Sequence, residues 1–95
     1  MKKYKVLLSG ENFELNFEGK IDNFGFYTTR VVKANSEEEA ELKAVELIKT
    51  DNNLLNMLIK KSEYEPKIFL EEMCEASWWQ RTGGAGYTFF SMESE

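Results

Sequence analysis

Apolar and polar positions alternate along the first third of the chain. In residues 13–18 an aromatic or aliphatic side chain at every odd position is followed by a polar one, which is typical of a strand with one face in solvent. Residues 3–8 alternate more weakly, and the Ser-Gly-Glu-Asn run at 9–12 favours a turn. The aromatic and β-branched side chains of residues 26–34 give the strongest strand signal, with 19–25 as the connection before it. We therefore predict three antiparallel strands joined by short turns.

The spacing of apolar positions becomes helical after Ser36. Ser36 and Glu39 form a capping-box pattern, and the acidic residues that follow Ser36 suit the positive end of a helix dipole. These features predict a helix over residues 37–50, whose apolar face is formed by Ala40, Ala44, Val45, Leu47 and Ile48. After Asp51 a second, shorter helix is predicted from the apolar group Leu54, Leu55, Leu58 and Ile59.

Strand patterns return in the last third of the chain. Residues 67–76 predict a fourth strand, residues 78–86 a loop, and residues 87–92 a fifth strand. The Gly-Gly-Ala-Gly run at 83–86 is followed by a strand and lacks the glycine spacing of phosphate-binding loops, so it is interpreted as a turn. The element order β-β-β-α-(α)-β-β predicts a single α+β domain over residues 1–95, with one antiparallel sheet and its helices packed on one face.

Two of the predicted strands carry apolar side chains on both faces. On the third strand Phe26 and Val32 face one way while Tyr27 and Val31 face the other, and the fifth strand shows the same division. A single layer of helices covers only one face of a sheet. Because the second apolar face also favours burial, we predict that a symmetry-related copy covers it and that the protein is a homodimer.

Composition limits the chemistry that this chain can perform. Histidine is absent and Cys74 is the single cysteine among 95 residues, which excludes His-based triads, Cys-His dyads, an intrachain disulfide and almost every zinc site. Cys74 is expected to be a small buried hydrophobe. Alternation places Glu71 and Glu75 on one side of the fourth strand and Glu72 on the other, as a solvated face. We predict no catalytic residue, no cofactor and no metal.

The net charge of −5 at pH 7 indicates which partners suit the chain. An acidic chain has little of the Lys and Arg surface that nucleic acid requires, and a basic protein partner suits it better. No window approaches the ~20 apolar residues of a membrane span, and the short apolar run after Met1 does not form a signal peptide. We therefore expect no membrane contact and a cytoplasmic location.

The Trp-Trp-Gln-Arg run at 78–81 is the clearest candidate for an interface. Two consecutive tryptophans in an extended segment cannot both point inward, and Trp and Arg are enriched at binding hot spots. Arg30 lies in mid-strand, where its guanidinium has either a cross-strand carboxylate partner or a contact on an exposed face. The candidate interface residues are Trp78, Trp79, Arg81, Tyr27, Arg30 and Tyr87.

Several segments carry a resemblance to bacterial sequences. They are Asn-Phe at 12–13, Gly-Phe-Tyr-Thr-Thr-Arg-Val-Val-Lys-Ala at 25–34 and Glu-Glu-Ala-Glu at 38–41, with a looser likeness in Gly-Tyr-Thr-Phe-Phe at 86–90. They resemble a group of small uncharacterised bacterial proteins, which implies a compact α+β domain and transfers no activity or site residue. The strand followed by Ser-x-Glu-Glu-Ala at a helix start is also similar to small antitoxin domains of the HicB type.

These observations predict a non-enzymatic interaction module that self-associates through its sheet face and its tryptophan loop. Its biological partner would be another protein, as in an antitoxin or immunity-like role against a basic protein. One alternative is a single-stranded nucleic-acid binder that stacks bases on Phe26, Tyr27 and Tyr87. The other is a small-ligand-binding domain or enzyme that uses carboxylates, tyrosine or Arg30.

Overall fold

Six regular elements make up the described part of the chain. The structure is a computed structural model and describes residues 1–58, 65–77, 79–81 and 86–92, except for the side chain of Phe17. In chain order the elements are β1 (Lys2–Phe17), β2 (Lys20–Ala34), α1 (Glu37–Lys49), α2 (Asn52–Met57), β3 (Lys67–Glu75) and β4 (Thr88–Ser91). The predictions for Ile59, Trp78 and the glycine-rich residues 83–85 lie outside the described residues.

The four strands form one antiparallel sheet in the order β3-β1-β2-β4. Helix α1 packs against all of the three longer strands, and α2 packs against α1 and β1. The predicted α+β class and the single antiparallel sheet are confirmed. The predicted order is wrong in detail, because the described elements run β-β-α-α-β-β with four strands instead of five.

A bulge, and not a turn, occupies residues 9–12. Gly10 lies opposite Phe26 and Phe13 lies opposite Phe24, so β1 holds one additional residue at this point, and Asn12 has a φ of 61°. The additional residue moves the inward-facing positions of β1 from even to odd numbers. The first two predicted strands are therefore one strand. In the sequence, a bulge interrupts the alternation of apolar and polar residues in the same way as a turn between two strands.

The connection between β1 and β2 is the two-residue turn Glu18-Gly19. Both residues have positive φ, 54° and 85°, as in the type I′ turns whose twist matches that of a hairpin. Residues 20–25, predicted to be part of a longer connection, belong to β2. The tight turn makes β1 and β2 a hairpin that runs the full length of the sheet.

Side-chain caps set where both helices begin. Ser36 Oγ accepts a hydrogen bond of 3.1 Å from the Glu39 N–H, which confirms the predicted cap, and α1 ends at Lys49. Asp51 Oδ1 accepts a hydrogen bond of 2.9 Å from the Asn53 N–H at the start of α2. These bonds satisfy N–H groups that the first turn of a helix leaves unpaired.

The hydrophobic core lies between the helices and one face of the sheet, here called the inner face. The even-numbered residues of β2 and the β1 residues opposite them contribute most of it, and α1 adds Ala40, Ala44 and Ile48. Phe26 is fully buried, with its ring centroid 5.0 Å from that of Phe13 and 5.1 Å from that of Tyr87. The two alanines allow α1 to approach the sheet closely.

Strand β3 is an edge strand, and most of its side chains are exposed. Cys74 pairs in register with Lys5 on the face directed away from the helices, here called the outer face, and it is exposed. The expectation that Cys74 is buried is therefore wrong. An edge strand has a neighbour on one side only, and the outer face has no helical cover, so a small apolar side chain at this position stays in solvent.

A second bulge changes the orientation of the acidic residues in β3. The register of β3 against β1 shifts by one residue at Glu71. The Glu71 carboxylate accepts a hydrogen bond of 2.6 Å from Ser9 Oγ on the outer face, whereas Glu75 lies opposite Tyr4 of the inner face and forms an ion pair of 2.9 Å with Lys2. The prediction that Glu71 and Glu75 share one side is therefore wrong.

Replacement of Gly10 by alanine is expected to destabilise the fold. The added Cβ would lie 2.3 Å from the Phe26 ring, and overpacking of a buried ring costs about 1–3 kcal/mol in the free energy of unfolding. Urea denaturation measures this loss. The double variant Gly10→Ala, Phe26→Leu should lose less than the sum of the single changes, because the smaller side chain leaves room. A loss below about 0.5 kcal/mol for Gly10→Ala would contradict the close contact.

Candidate interaction surface

The outer face carries a cluster of apolar side chains that no described helix covers. Leu7, Tyr27, Val31, Phe69 and Phe90 form this cluster, here called the outer patch. The exposed fraction is 47% for Tyr27, 42% for Phe69 and 39% for Phe90, so much aromatic surface remains in solvent. The predicted division of apolar side chains between two faces of the sheet is confirmed.

The strand register brings the outer patch together. Phe69, Ser9 and Tyr27 lie in one row across β3, β1 and β2, and Phe90 of β4 lies opposite Gly25 of β2. A Cβ on Gly25 would lie 2.5 Å from the Phe90 ring, so the ring rests directly on the backbone of β2. The ring centroids of Tyr27 and Phe90 are 5.6 Å apart. Tyr27 and Phe90 thus form an aromatic pair on β2 and β4, and Phe69 lies on the other side of β1, across Ser9.

Charged side chains of opposite sign lie toward the two ends of the outer face. Lys3, Lys5 and Lys33 lie where β1 begins, with Lys3 opposite Lys33, and this region is here called the basic end. Glu11 and Glu14 lie beyond the outer patch in the direction of the β1–β2 turn, and this region is here called the acidic end. Strand β3 adds further charges to this face, with Glu72 opposite Leu7, the Glu71 carboxylate on Ser9, and Lys67 opposite Glu11.

The turn that follows β3 lies at the basic end. The Lys3 ammonium group donates a hydrogen bond to the Gln80 carbonyl oxygen, which ties this turn to the outer face. Trp79 is 68% exposed and Arg81 is exposed. The prediction that at least one tryptophan is exposed is confirmed by Trp79, while Trp78 lies outside the described residues.

Arg30 lies on the inner face and is buried, with 3% of its surface exposed. Its Nη1 donates hydrogen bonds to Thr28 Oγ1 at 2.5 Å and to the Thr29 carbonyl oxygen at 3.0 Å. Its Nη2 lies 3.7 Å from Asp51 Oδ2, and its guanidinium carbon lies 5.1 Å from the ring centroid of Tyr87. The assignment of Arg30 to an exposed interface is therefore corrected: its carboxylate partner caps α2 and does not lie across the sheet.

Tyr87 also faces the helices and belongs to the same buried network. Its hydroxyl donates a hydrogen bond of 2.7 Å to Asp51 Oδ2. Burial and this hydrogen bond raise the pKa of Tyr87 to about 12. The same hydrogen bond is the largest cause of the lowered pKa of Asp51, to which a backbone N–H of α2 and the charge of Arg30 also contribute. The candidate interface residue Tyr87 therefore links β4 to the helices.

The sequence pattern does not reveal two residues that matter here. Phe69 of the outer patch is obscured because the bulge at Glu71 interrupts the alternation of β3. Asp51 shows only the signature of a helix cap, and its contact with Arg30 joins positions 21 residues apart. The one available signal for this contact is an arginine in mid-strand together with an aspartate at a predicted helix junction, because a buried guanidinium requires a carboxylate or carbonyl partner.

Within residues 1–58, 65–77, 79–81 and 86–92, no group of three or more His, Cys, Asp and Glu side chains converges as a metal site. The same residues include no helix with the length and apolar character needed to cross a membrane. A cavity of about 330 Å³ lies between the helices and the sheet, and Lys49 is the one titratable side chain in its described lining.

Comparison with known proteins finds no match to this chain: no protein-family model, no curated protein and no solved structure matches it.

Replacement of Tyr87 by phenylalanine is expected to lower stability and to change its alkaline pH dependence. Loss of a hydrogen bond to a carboxylate costs about 1–2 kcal/mol near neutral pH. The pKa of Tyr87 is raised from 10.0 to about 12 in the folded protein, so the stabilisation is complete below pH 10 and is lost as the pH rises toward 12.

Urea denaturation at several pH values across this interval tests the expectation. The difference in unfolding free energy between the wild type and Tyr87→Phe should shrink as the pH rises. Tyr27→Phe, which removes an exposed phenol from the outer face, is the matched control and should show no such trend. A pH-independent difference for Tyr87→Phe would contradict the role of its hydrogen bond.

Proposed function

We propose that this protein is a non-enzymatic interaction module that self-associates as a homodimer through the outer face of its sheet. The observation that carries the proposal is the outer patch, in which Tyr27 and Phe90 lie together and Phe69 is exposed on the same face, across β1. Burial of apolar surface stabilises an assembly by about 25 cal/mol per Å². A second copy offers the same apolar surface, and two-fold symmetric contacts are the commonest among small soluble oligomers.

The outer face has the area that a stable dimer requires. The molecule measures 40 × 22 × 21 Å along its principal axes, so a face along the longest axis covers on the order of 800 Å² in projection, close to what each partner buries in a standard interface. The five side chains of the outer patch cover only part of that face. The dimer therefore also uses the charged ends of the face and the turn that carries Trp79.

Two surface features support a basic protein partner and a reducing compartment. Glu37, Glu38 and Glu46 are exposed on α1, on the side of the sheet that stays accessible when two outer faces meet. Together with the net charge of −5, this acidic surface suits a basic protein, as in an antitoxin or immunity-like role. The exposed Cys74 thiol suits the cytoplasm, where thiols stay reduced.

A second candidate function is the binding of single-stranded nucleic acid to the same face. The observation that favours it is that Lys5 and Lys33 lie on the same face of the sheet as Tyr27, because bases stack on exposed aromatic rings and phosphates bind lysines. The acidic end of the face and the net charge of −5 oppose it.

Substitution of Tyr27 or Phe69 by serine is expected to weaken the dimer. Each change removes aromatic surface from the centre of the contact, and a loss of roughly tenfold in affinity corresponds to about 1.4 kcal/mol. Light scattering over a dilution series measures the mass, and tryptophan emission of the same samples should shift to the red on dissociation because Trp79 becomes more hydrated.

The matched control for both variants is Leu42→Ser. Leu42 is 71% exposed on α1, so this change removes apolar surface from the other side of the molecule and should leave the dimer intact. Circular dichroism verifies that every variant is folded. A wild type that stays monomeric at all concentrations, or an equal effect of Leu42→Ser, would contradict the proposal.

The second candidate is tested by titration with a single-stranded oligonucleotide at low and high salt. The self-association proposal expects no binding at either salt concentration. Salt-sensitive binding that is lost in both Tyr27→Ser and Lys5→Glu would instead support nucleic acid as the ligand of the outer face.

A further inference from the structure

Strand β3 has an open edge that lies in the plane of the sheet, to the side of the outer face. The strand is nine residues long, and β1 is its one neighbour in the described part of the sheet. We infer that an extended segment of a basic protein partner binds at this edge and continues the sheet beside β3. The inference rests on the proposed role as an interaction module with a basic partner, and it names the surface that the partner uses.

The backbone groups of β3 point alternately toward β1 and toward the open edge. The Ala76 N–H donates a hydrogen bond of 2.9 Å to the Lys3 carbonyl oxygen, so residues opposite odd-numbered positions of β1 direct their N–H and C=O groups toward β1. Residues opposite even-numbered positions direct these groups toward the open edge, and they are Ile68, Leu70, Met73 and Glu75. Such a row of donors and acceptors is the template on which an extended peptide adds to a sheet.

Apolar side chains lie beside the open edge on both faces of the sheet. Phe69 is 42% exposed on the outer face, and Leu70, opposite Leu8 of the inner face, is 41% exposed. The side chains of an added strand alternate between the same two faces. An apolar residue on either face of the partner segment can therefore be buried against one of these two side chains.

The bulge in β3 determines where a basic residue of the partner fits. The Glu71 carboxylate accepts the Ser9 hydroxyl hydrogen bond on the outer face, and Glu72 lies opposite Leu7 on that same face. Consecutive residues of a regular strand lie on opposite faces, so the bulge brings two carboxylates together beside the open edge. A lysine or arginine on the outer face of an added strand would lie next to both.

The other charged side chains near β3 lie toward its ends. They are Glu65, Lys67 and Glu11 at the beginning of the strand, and Glu75, Lys2, Lys3 and Lys5 at its end. The lysines outnumber the glutamate at the end of the strand, so a basic residue is favoured at the bulge and disfavoured there. Residues 65–77 carry four glutamates and one lysine, so pairing between two copies of β3 would bring like charges together. The edge therefore favours a basic segment over a second copy.

Peptide binding followed by NMR tests the open edge. The probe is a blocked peptide as long as β3, with alternating threonine and valine and one central arginine, and it is titrated into nitrogen-15-labelled protein. In the bound protein, hydrogen exchange of the Ile68, Leu70, Met73 and Glu75 amides should slow by roughly tenfold or more. The amides of Phe69 and Cys74 face β1 already, so their exchange should change little.

Two control peptides separate the contributions of charge and of backbone hydrogen bonds. One has glutamate in place of the central arginine, and the other keeps the arginine but is N-methylated throughout, which removes every N–H donor. Each should bind roughly tenfold more weakly, or not at all. In the protein, Glu72→Lys should weaken binding of the arginine peptide by a similar factor. Glu46→Lys on α1, which alters the net charge by the same amount away from the edge, should leave it within about twofold.

Four results would overturn the inference. They are no binding of the arginine peptide, equal binding of its N-methylated form, an equal effect of Glu46→Lys, and slowed exchange on α1 or the outer patch in place of β3. Protection of the four edge amides in the free protein that is lost on dilution would show that a second copy occupies the edge, which also overturns it.

Light scattering of the same samples keeps this result apart from the proposed homodimer. A dimer that does not bind the arginine peptide overturns the edge site alone. A monomer that binds it at β3 overturns the proposed self-association and leaves the edge site in place.

Discussion

A guanidinium group in a protein core needs hydrogen-bond partners in place of water, and Arg30 finds them in three parts of the chain. Thr28 and Thr29 of β2 accept hydrogen bonds from it, the carboxylate of Asp51 faces it, and the ring of Tyr87 lies beside it. The Asp51 carboxylate caps α2, faces Arg30 and accepts a hydrogen bond from the Tyr87 hydroxyl. These contacts hold the junction between the helices and the residue before β4 on the same side of the sheet.

The open outer face follows from that arrangement. With Arg30 and its partners on the inner face, both described helices lie there, and the sheet has apolar rings on a face that they do not cover. The glycine at position 25 lets the Phe90 ring lie against the backbone, and the strand register brings Phe69 and Tyr27 into one row. These exposed rings are the surface on which the proposed self-association depends.

Much of this arrangement is readable from local patterns, and two of the errors share one cause. The cap at Ser36, the helix after it and the apolar positions on both faces of β2 are all confirmed, because each depends on residues close together in the chain. The bulges at residues 9–12 and at Glu71 each insert one residue, which reverses the alternation from which the faces are inferred. For this reason the alternation predicts two strands where the structure has one, and it predicts that Glu71 and Glu75 lie on the same side of β3.

Local sequence patterns establish the class of fold, the bounds of α1 to within one residue and the excess of apolar positions over what one helical layer covers, and composition excludes histidine chemistry and an intrachain disulfide. Only the three-dimensional contacts show that Arg30 is buried, that Cys74 is exposed on an edge strand, and that Phe69, Ser9 and Tyr27 lie in one row on the outer face. The physical reason is the range of the interactions: caps and periodicity act within a few residues, whereas the ion pair of Arg30 and the neighbours of each strand are set by contacts between distant segments.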